Sequence, residues 1–181
     1  MYTYFTIKQK YKPFKKQKIM KRSSFVLLVV ALLVPAILIV KSIKFDQQCG
    51  GYLKQAADAN TPELALERLN VAIDYIEDNN LTDGYTSLLW NTEDENVGFW
   101  YRNIIACREE LQSCLESNQL EKTNVLMKVR ESLTDSSKGS VSLTVPCGIS
   151  KHPSNWLWAV MLTLSIIVSV ACAVDLLLNR P

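Results

Sequence analysis

His152 is the chain's one histidine, and Cys147 lies five residues before it. A thiol and an imidazole in hydrogen-bond contact make a nucleophile and its base, but they also need a third group to orient the ring. Nothing near these two supplies such a group, so no catalytic residue is expected and the chain is not read as an enzyme. Glu93, Asp94 and Glu95 form an acidic run that could hold calcium. The start of a helix, whose positive end attracts acids, accounts for them more simply. No phosphate-binding glycine loop, G-x-S-x-G elbow or H-E-x-x-H pair occurs. Neither a cofactor nor a metal is expected.

The cysteines carry the remaining chemistry. Cys49, Cys107, Cys114 and Cys147 fall in the long middle of the chain, and Cys172 lies in an apolar run near the end. Four is an even number, and an oxidising compartment would allow disulfides. Cys107 and Cys114 are seven residues apart, about 10 Å along a helix at 1.5 Å per residue, too far to bond each other. A partner for either would be Cys49 or Cys147. The alternative is that some of the four are small buried apolar residues. A zinc site would need tighter spacing than this.

Two apolar runs position everything else. Residues 24–40 read SFVLLVVALLVPAILIV without a charge, and residues 156–174 form a second such run. About 20 apolar residues cross a bilayer as a helix. The first run is longer than a signal peptide's apolar core and its exit, Lys41-Ser42-Ile43-Lys44, offers no small-residue cleavage site, so it reads as an anchor that stays. Pro35 removes one backbone donor inside that span and is expected to kink it.

Charge is partitioned around these runs. Residues 1–22 hold eight Lys or Arg and no acid, whereas residues 41–155 hold 17 acids against 11 bases, a net of −6. Basic flanks stay in the cytoplasm. The expected organisation is a basic cytoplasmic arm (1–22), a first transmembrane helix (23–43), an extracytoplasmic helical domain (44–154), a second transmembrane helix (155–178) and a cytoplasmic tail (179–181). Both termini would lie inside, in a bacterial plasma membrane. The arm, interleaved with aromatic residues, would fix topology or touch anionic headgroups; a nucleic-acid partner is not expected.

The fold class is therefore mainly α: two transmembrane helices flanking a helical bundle with one short β segment. In the middle, a piece from Phe45 to about Ala59 is interrupted by Gly50-Gly51. Asn60-Thr61-Pro62-Glu63 opens a helix with an apolar stripe of Leu66, Leu69, Ile73 and Ile76, ended by Asn79-Asn80. Asn80-Leu81-Thr82 matches a glycosylation sequon. Residues 81–91, LTDGYTSLLWN, form a connector apolar enough to pack onto the domain. A capping box at Thr92–Glu95 opens the next helix. Val97, Ile104 and Leu111, with Trp100, Cys107 and Cys114, recur every seven residues as a buried seam. A helix from about Gln119 to Thr134, capped by Asn118 and Glu121, follows or continues it as one rod. Asp135 to Ser140 reads as a polar linker, and the alternation in residues 140–145 reads as a strand with no identified partner.

Trp156 and Trp158 suit the outer membrane interface. Within the second span, Ser165, Ser169 and Ala173 repeat every four residues and would allow close packing on the first span or on a second copy. Asp175, at the cytoplasmic edge, would pair with Lys21 or Arg22.

The layout resembles, in architecture only, the sensory half of bacterial receptors that place a helical domain between two spans. Two functions are expected from these features. The first is a partner-binding or accessory subunit of a membrane complex, whose contact surfaces are the connector and the second span. The second is a small-ligand sensor lacking its own effector domain. Tyr85, Trp90, Trp100, Tyr101 and Arg102 are the candidate partner or ligand surface.

Overall fold

The structure is a computed structural model and describes residues 25–137 and 140–178. It is mainly helical. The chain forms two compact units, one spanning Ile39–Trp156 and one whose described parts are residues 25–38 and 157–178.

The second of these units contains two apolar helices, from α1 (residues 25–45) and α6 (Asn155–Leu178). Helical structure continues past α1 as Phe25–Ala57, and this helix and Asn155–Asp175 are both long and apolar enough to cross a membrane. Their outward side chains are bare: Phe25, Val29, Leu33 and Ile37 on α1, and Leu164, Ile167 and Val170 on α6, are all exposed. Apolar surface on that scale is stable only against lipid or another protein. The two helices meet along small residues. Ala31 and Ser165 are buried, and the Ser165 hydroxyl donates to the Ala31 carbonyl at 2.6 Å. That carbonyl would normally accept the N–H four residues later, but residue 35 is a proline and has none. Helical structure continues through Pro35. Ser169 is half-buried, Cys172 buried and Ala173 exposed, so the covered face of α6 runs through Cys172 and not Ala173. Asp175 is half-buried. Lys21, Arg22 and the whole basic arm lie outside the described residues.

In the larger unit, the expected break at Gly50-Gly51 is absent. A π-turn at Asp46–Gly50 leads without interruption into α2 (Gly51–Ala57). The buried positions Phe45, Cys49, Leu53 and Ala57 explain it. Residues four apart drift about 40° per step around an α-helix. One wide turn absorbs part of that drift and keeps the four on one face.

α3 (Pro62–Asp78) begins as its sequence dictates. Thr61 Oγ1 accepts the Leu64 N–H at 3.3 Å, with Pro62 in the first turn. It ends in a left-handed cap: Asn80 has φ 55, its N–H reaches the Glu77 carbonyl, and the Leu81 N–H reaches Ile76 at 2.9 Å. Leu81 is buried beneath the cap, and Asn80, the sequon asparagine, is exposed.

α4 (Val97–Ser113) starts later than its acidic lead suggests. Thr92 does not cap the backbone, because its hydroxyl donates to the Glu95 carboxylate at 2.8 Å within a single 3-10 turn, Glu93–Glu95. Asn96 is the cap, and its side chain accepts the Phe99 N–H at 2.9 Å. The heptad seam holds, with Val97, Trp100, Ile104, Cys107, Leu111 and Cys114 all buried. α5 (Gln119–Leu133) is a separate helix. A turn at residues 114–118 precedes it, and the Asn118 side chain accepts the Glu121 N–H at 3.0 Å.

Helix α2 packs on α3 and α5, α3 on α4, and α4 on α5. Leu53, Leu69, Ile73, Ile76, Ile104, Leu111 and Val129 fill the shared interior, each at most 2% exposed. Each such side chain contributes about 1.5–3 kcal/mol by leaving water. After α5 the chain forms a two-stranded hairpin: β1 (Thr134–Ser137) pairs antiparallel with β2 (Ser140–Leu143), Thr134 opposite Leu143. The partner missing from the sequence reading is thus the stretch taken as a polar linker. Its residues, Thr-Asp-Ser-Ser, show no alternation to betray a strand.

Candidate functional site

Two features of the larger unit could receive a partner. The first is a loop closed at its base. The Thr86 N–H donates to the Glu95 carbonyl at 3.0 Å and the Val97 N–H to the Gly84 carbonyl at 2.9 Å, with Tyr85 and Asn96 bridged between them. Asn96 Nδ2 also donates to the Tyr85 hydroxyl at 3.2 Å. Gly84 has φ +88, where other residues are strained, and a methyl there would stand 3.1 Å from the His152 ring, closer than ordinary contact. This clasp holds residues 87–94 out as a unit. At its tip Leu88, Leu89 and Trp90 are 48%, 81% and 72% exposed. The connector therefore packs at its start, through Leu81 and Thr86, and presents its most apolar part to the surroundings. Sequence hydrophobicity suggested that the whole segment would pack.

The second feature is a cleft of about 460 Å³. Helix α4 supplies Phe99, Trp100, Asn103 and Ile104, and α5 supplies Ser132 and Leu133. The hairpin and the strand exit contribute Asp135 and residues 142–146, and the lead into α4 contributes Glu93, Asp94 and Asn96. The floor is buried (Trp100, Ile104, Leu133 and Pro146), and the rim is exposed. Its volume lies in the range of small-molecule sites, about 300–1,000 Å³.

The candidate surface residues do not come together. Trp100 is buried and lines the cleft. Trp90 is on the loop tip and Tyr85 in its clasp. The Tyr101 hydroxyl donates to Glu77 Oε1 at 2.6 Å, joining α4 to the last turn of α3. Arg102 is exposed and does not line the cleft. Residues 100, 101 and 102 follow one another on a helix, so successive side chains point about 100° apart. Three acids, Glu93, Asp94 and Asp135, line the cleft, and the hairpin, unseen in the sequence, carries Asp135 to it.

All five cysteines are free thiols: Cys49, Cys107, Cys114 and Cys172 are buried and Cys147 is exposed. Burial pushes the Cys107 thiol up from its ordinary value, with a hydrogen bond to Ser132 opposing. It is therefore a protonated, unreactive side chain at neutral pH. His152 Nδ1 is buried without a hydrogen-bond partner. It is not engaged with the Cys147 thiol. Among the described residues no three His, Cys, Asp or Glu converge to hold a metal ion.

Compared with protein-family models, curated proteins and solved structures, the chain matches none.

Proposed function

We propose that this chain is a two-pass plasma-membrane protein whose residues 44–154 form an extracytoplasmic helical bundle that docks a protein partner. Its role is that of an accessory or partner-binding subunit of a membrane complex. The observation carrying this reading is the clasped loop. Leu88, Leu89 and Trp90, three consecutive large apolar residues, are exposed on a loop whose base is closed by hydrogen bonds. Tryptophan is among the residues that most often anchor a protein interface. The partition of charge, basic before the first span and acidic between the spans, supports the orientation. The second span, through Ser169 and Ala173, is the proposed contact within the bilayer.

Site-specific photocrosslinking in the native membrane tests this. A photoreactive residue at position 89 is expected to give one adduct of defined mass, absent when the probe sits at exposed Glu67 on α3. No adduct at position 89, or the same adducts at both positions, would reject the docking loop.

A second reading, a ligand sensor that passes its signal to another protein, is favoured by the cleft between α4, α5 and the hairpin.

A further inference from the structure

We infer that Asn80 is a modification site: its side-chain amide carries an N-linked oligosaccharide on the outer side of the membrane. This rests on the outward placement of residues 44–154 proposed above and adds a modification to that domain.

Three independent observations meet at this residue. The first is the motif. Asn80-Leu81-Thr82 is the chain's one Asn-x-Ser/Thr triplet. The second is position. Such a motif can serve as a site only where its asparagine stays at the surface, and Asn80 is exposed in the turn that ends α3. Glu77, Asp78 and Asn79 beside it are exposed as well, so the sugar would lie against a polar surface. The third is the state of the amide. The cap is built from backbone groups: the Asn80 N–H donates to the Glu77 carbonyl at 3.0 Å and the Leu81 N–H to the Ile76 carbonyl at 2.9 Å. Asn79, by contrast, spends its Nδ2 on the Tyr75 carbonyl at 2.8 Å. A bond from Asn80 Nδ2 to a sugar therefore breaks none of the bonds that hold the turn. The residue type agrees. At φ 55 glycine is the favoured occupant and asparagine is tolerated, and of the two only asparagine offers an acceptor nitrogen.

The reaction is a glycosyl transfer from a polyprenyl-pyrophosphate-linked oligosaccharide. Asn80 Nδ2 forms a bond to the anomeric carbon of the first sugar. The bond from that carbon to the pyrophosphate oxygen breaks, and its electron pair leaves with the pyrophosphate. The amide gives up one proton to a base of the transferase, and nothing is oxidised or reduced. The Thr82 hydroxyl completes the triplet that the transferase reads. Leu81, between the two, is 3% exposed. The folded turn is thus closed to an enzyme's cleft, and transfer precedes formation of the cap.

Peptide mass spectrometry of the full chain purified from its native membrane tests this. The expected result is a peptide spanning position 80 that carries added mass in whole sugar units, with fragment ions placing it on Asn80. Asn80→Gly suits the left-handed cap at least as well as asparagine, so it removes the acceptor without unfolding α3, and the added mass should be lost. Thr82→Ala should lose it too, whereas Thr82→Ser keeps the hydroxyl and should retain it. Labelling of the exposed Cys147 by a membrane-impermeant maleimide reports orientation in the same membranes. An unmodified peptide where Cys147 is labelled from outside would overturn the site and leave the orientation standing. Added mass that survives Asn80→Gly or Thr82→Ala would overturn the site as well. An unmodified peptide with Cys147 protected from outside would overturn both the site and the outward placement.

Discussion

The Ser165 hydroxyl donates its proton to the backbone carbonyl of Ala31, the carbonyl left without its helical partner by Pro35. A proline costs a transmembrane helix one hydrogen bond, and hydrocarbon offers no water to replace it. Here the neighbouring apolar helix supplies the donor. The bond satisfies the orphaned oxygen and joins the two helices; within a bilayer, where apolar helices have little hydrophobic reason to associate, such a bond would also hold the pair together.

This relationship predicts a specific non-additivity. Ser165→Ala should destabilise the α1–α6 pair by about 1 kcal/mol. Pro35→Ala restores an N–H at position 35, which can then donate to Ala31 within α1. In that background Ser165→Ala should cost less. Unfolding of the four cycle variants in bicelles measures the coupling. Equal cost of Ser165→Ala in both backgrounds would show that the proline and the serine act independently.

Tyr101 predicts a pH dependence. Its hydrogen bond to Glu77, with burial adding, raises the hydroxyl's pKa above its ordinary value of 10.0. The folded state thus holds this proton more tightly than the unfolded chain does. The stabilisation is complete below about pH 10 and falls as pH rises through the raised folded value. Tyr101→Phe should lower stability by about 1 kcal/mol at neutral pH and flatten its decline above about pH 10. Tyr75, raised mainly by burial, leaves some slope behind. Urea unfolding at pH 7 and pH 10.5 checks both parts, and an unchanged slope in the variant would reject the assignment.

The helical parts of the fold were legible because their signals are local. Thr61-Pro62 starts a helix, Asn79-Asn80 stops one, and a seven-residue recurrence from Val97 to Cys114 marks a buried face whatever surrounds it. The acidic run before α4 misled by a few residues because Thr92 spends its hydroxyl on Glu95, which leaves Asn96 to cap. The break expected at Gly50-Gly51 did not occur because glycine's freedom does not oblige it to leave a helix. Burial of Phe45, Cys49 and Leu53 on one face decides the matter. The cleft was not legible, since a strand of four polar residues, Thr134–Ser137, carries Asp135 to it. That strand is set by pairing with Ser140–Leu143, a tertiary fact. The exposed tip was read the wrong way because apolar content alone does not say whether a loop packs or presents.

The most direct test of the account is the side of the membrane on which residues 44–154 lie. Cys147 is the one exposed cysteine, and the other four are buried, so it reports this position alone. A membrane-impermeant maleimide added to intact cells, followed by peptide mapping, is predicted to modify Cys147 without permeabilisation. Modification of Cys147 only after the cytoplasmic side is opened would contradict the proposed orientation and the extracytoplasmic docking surface with it.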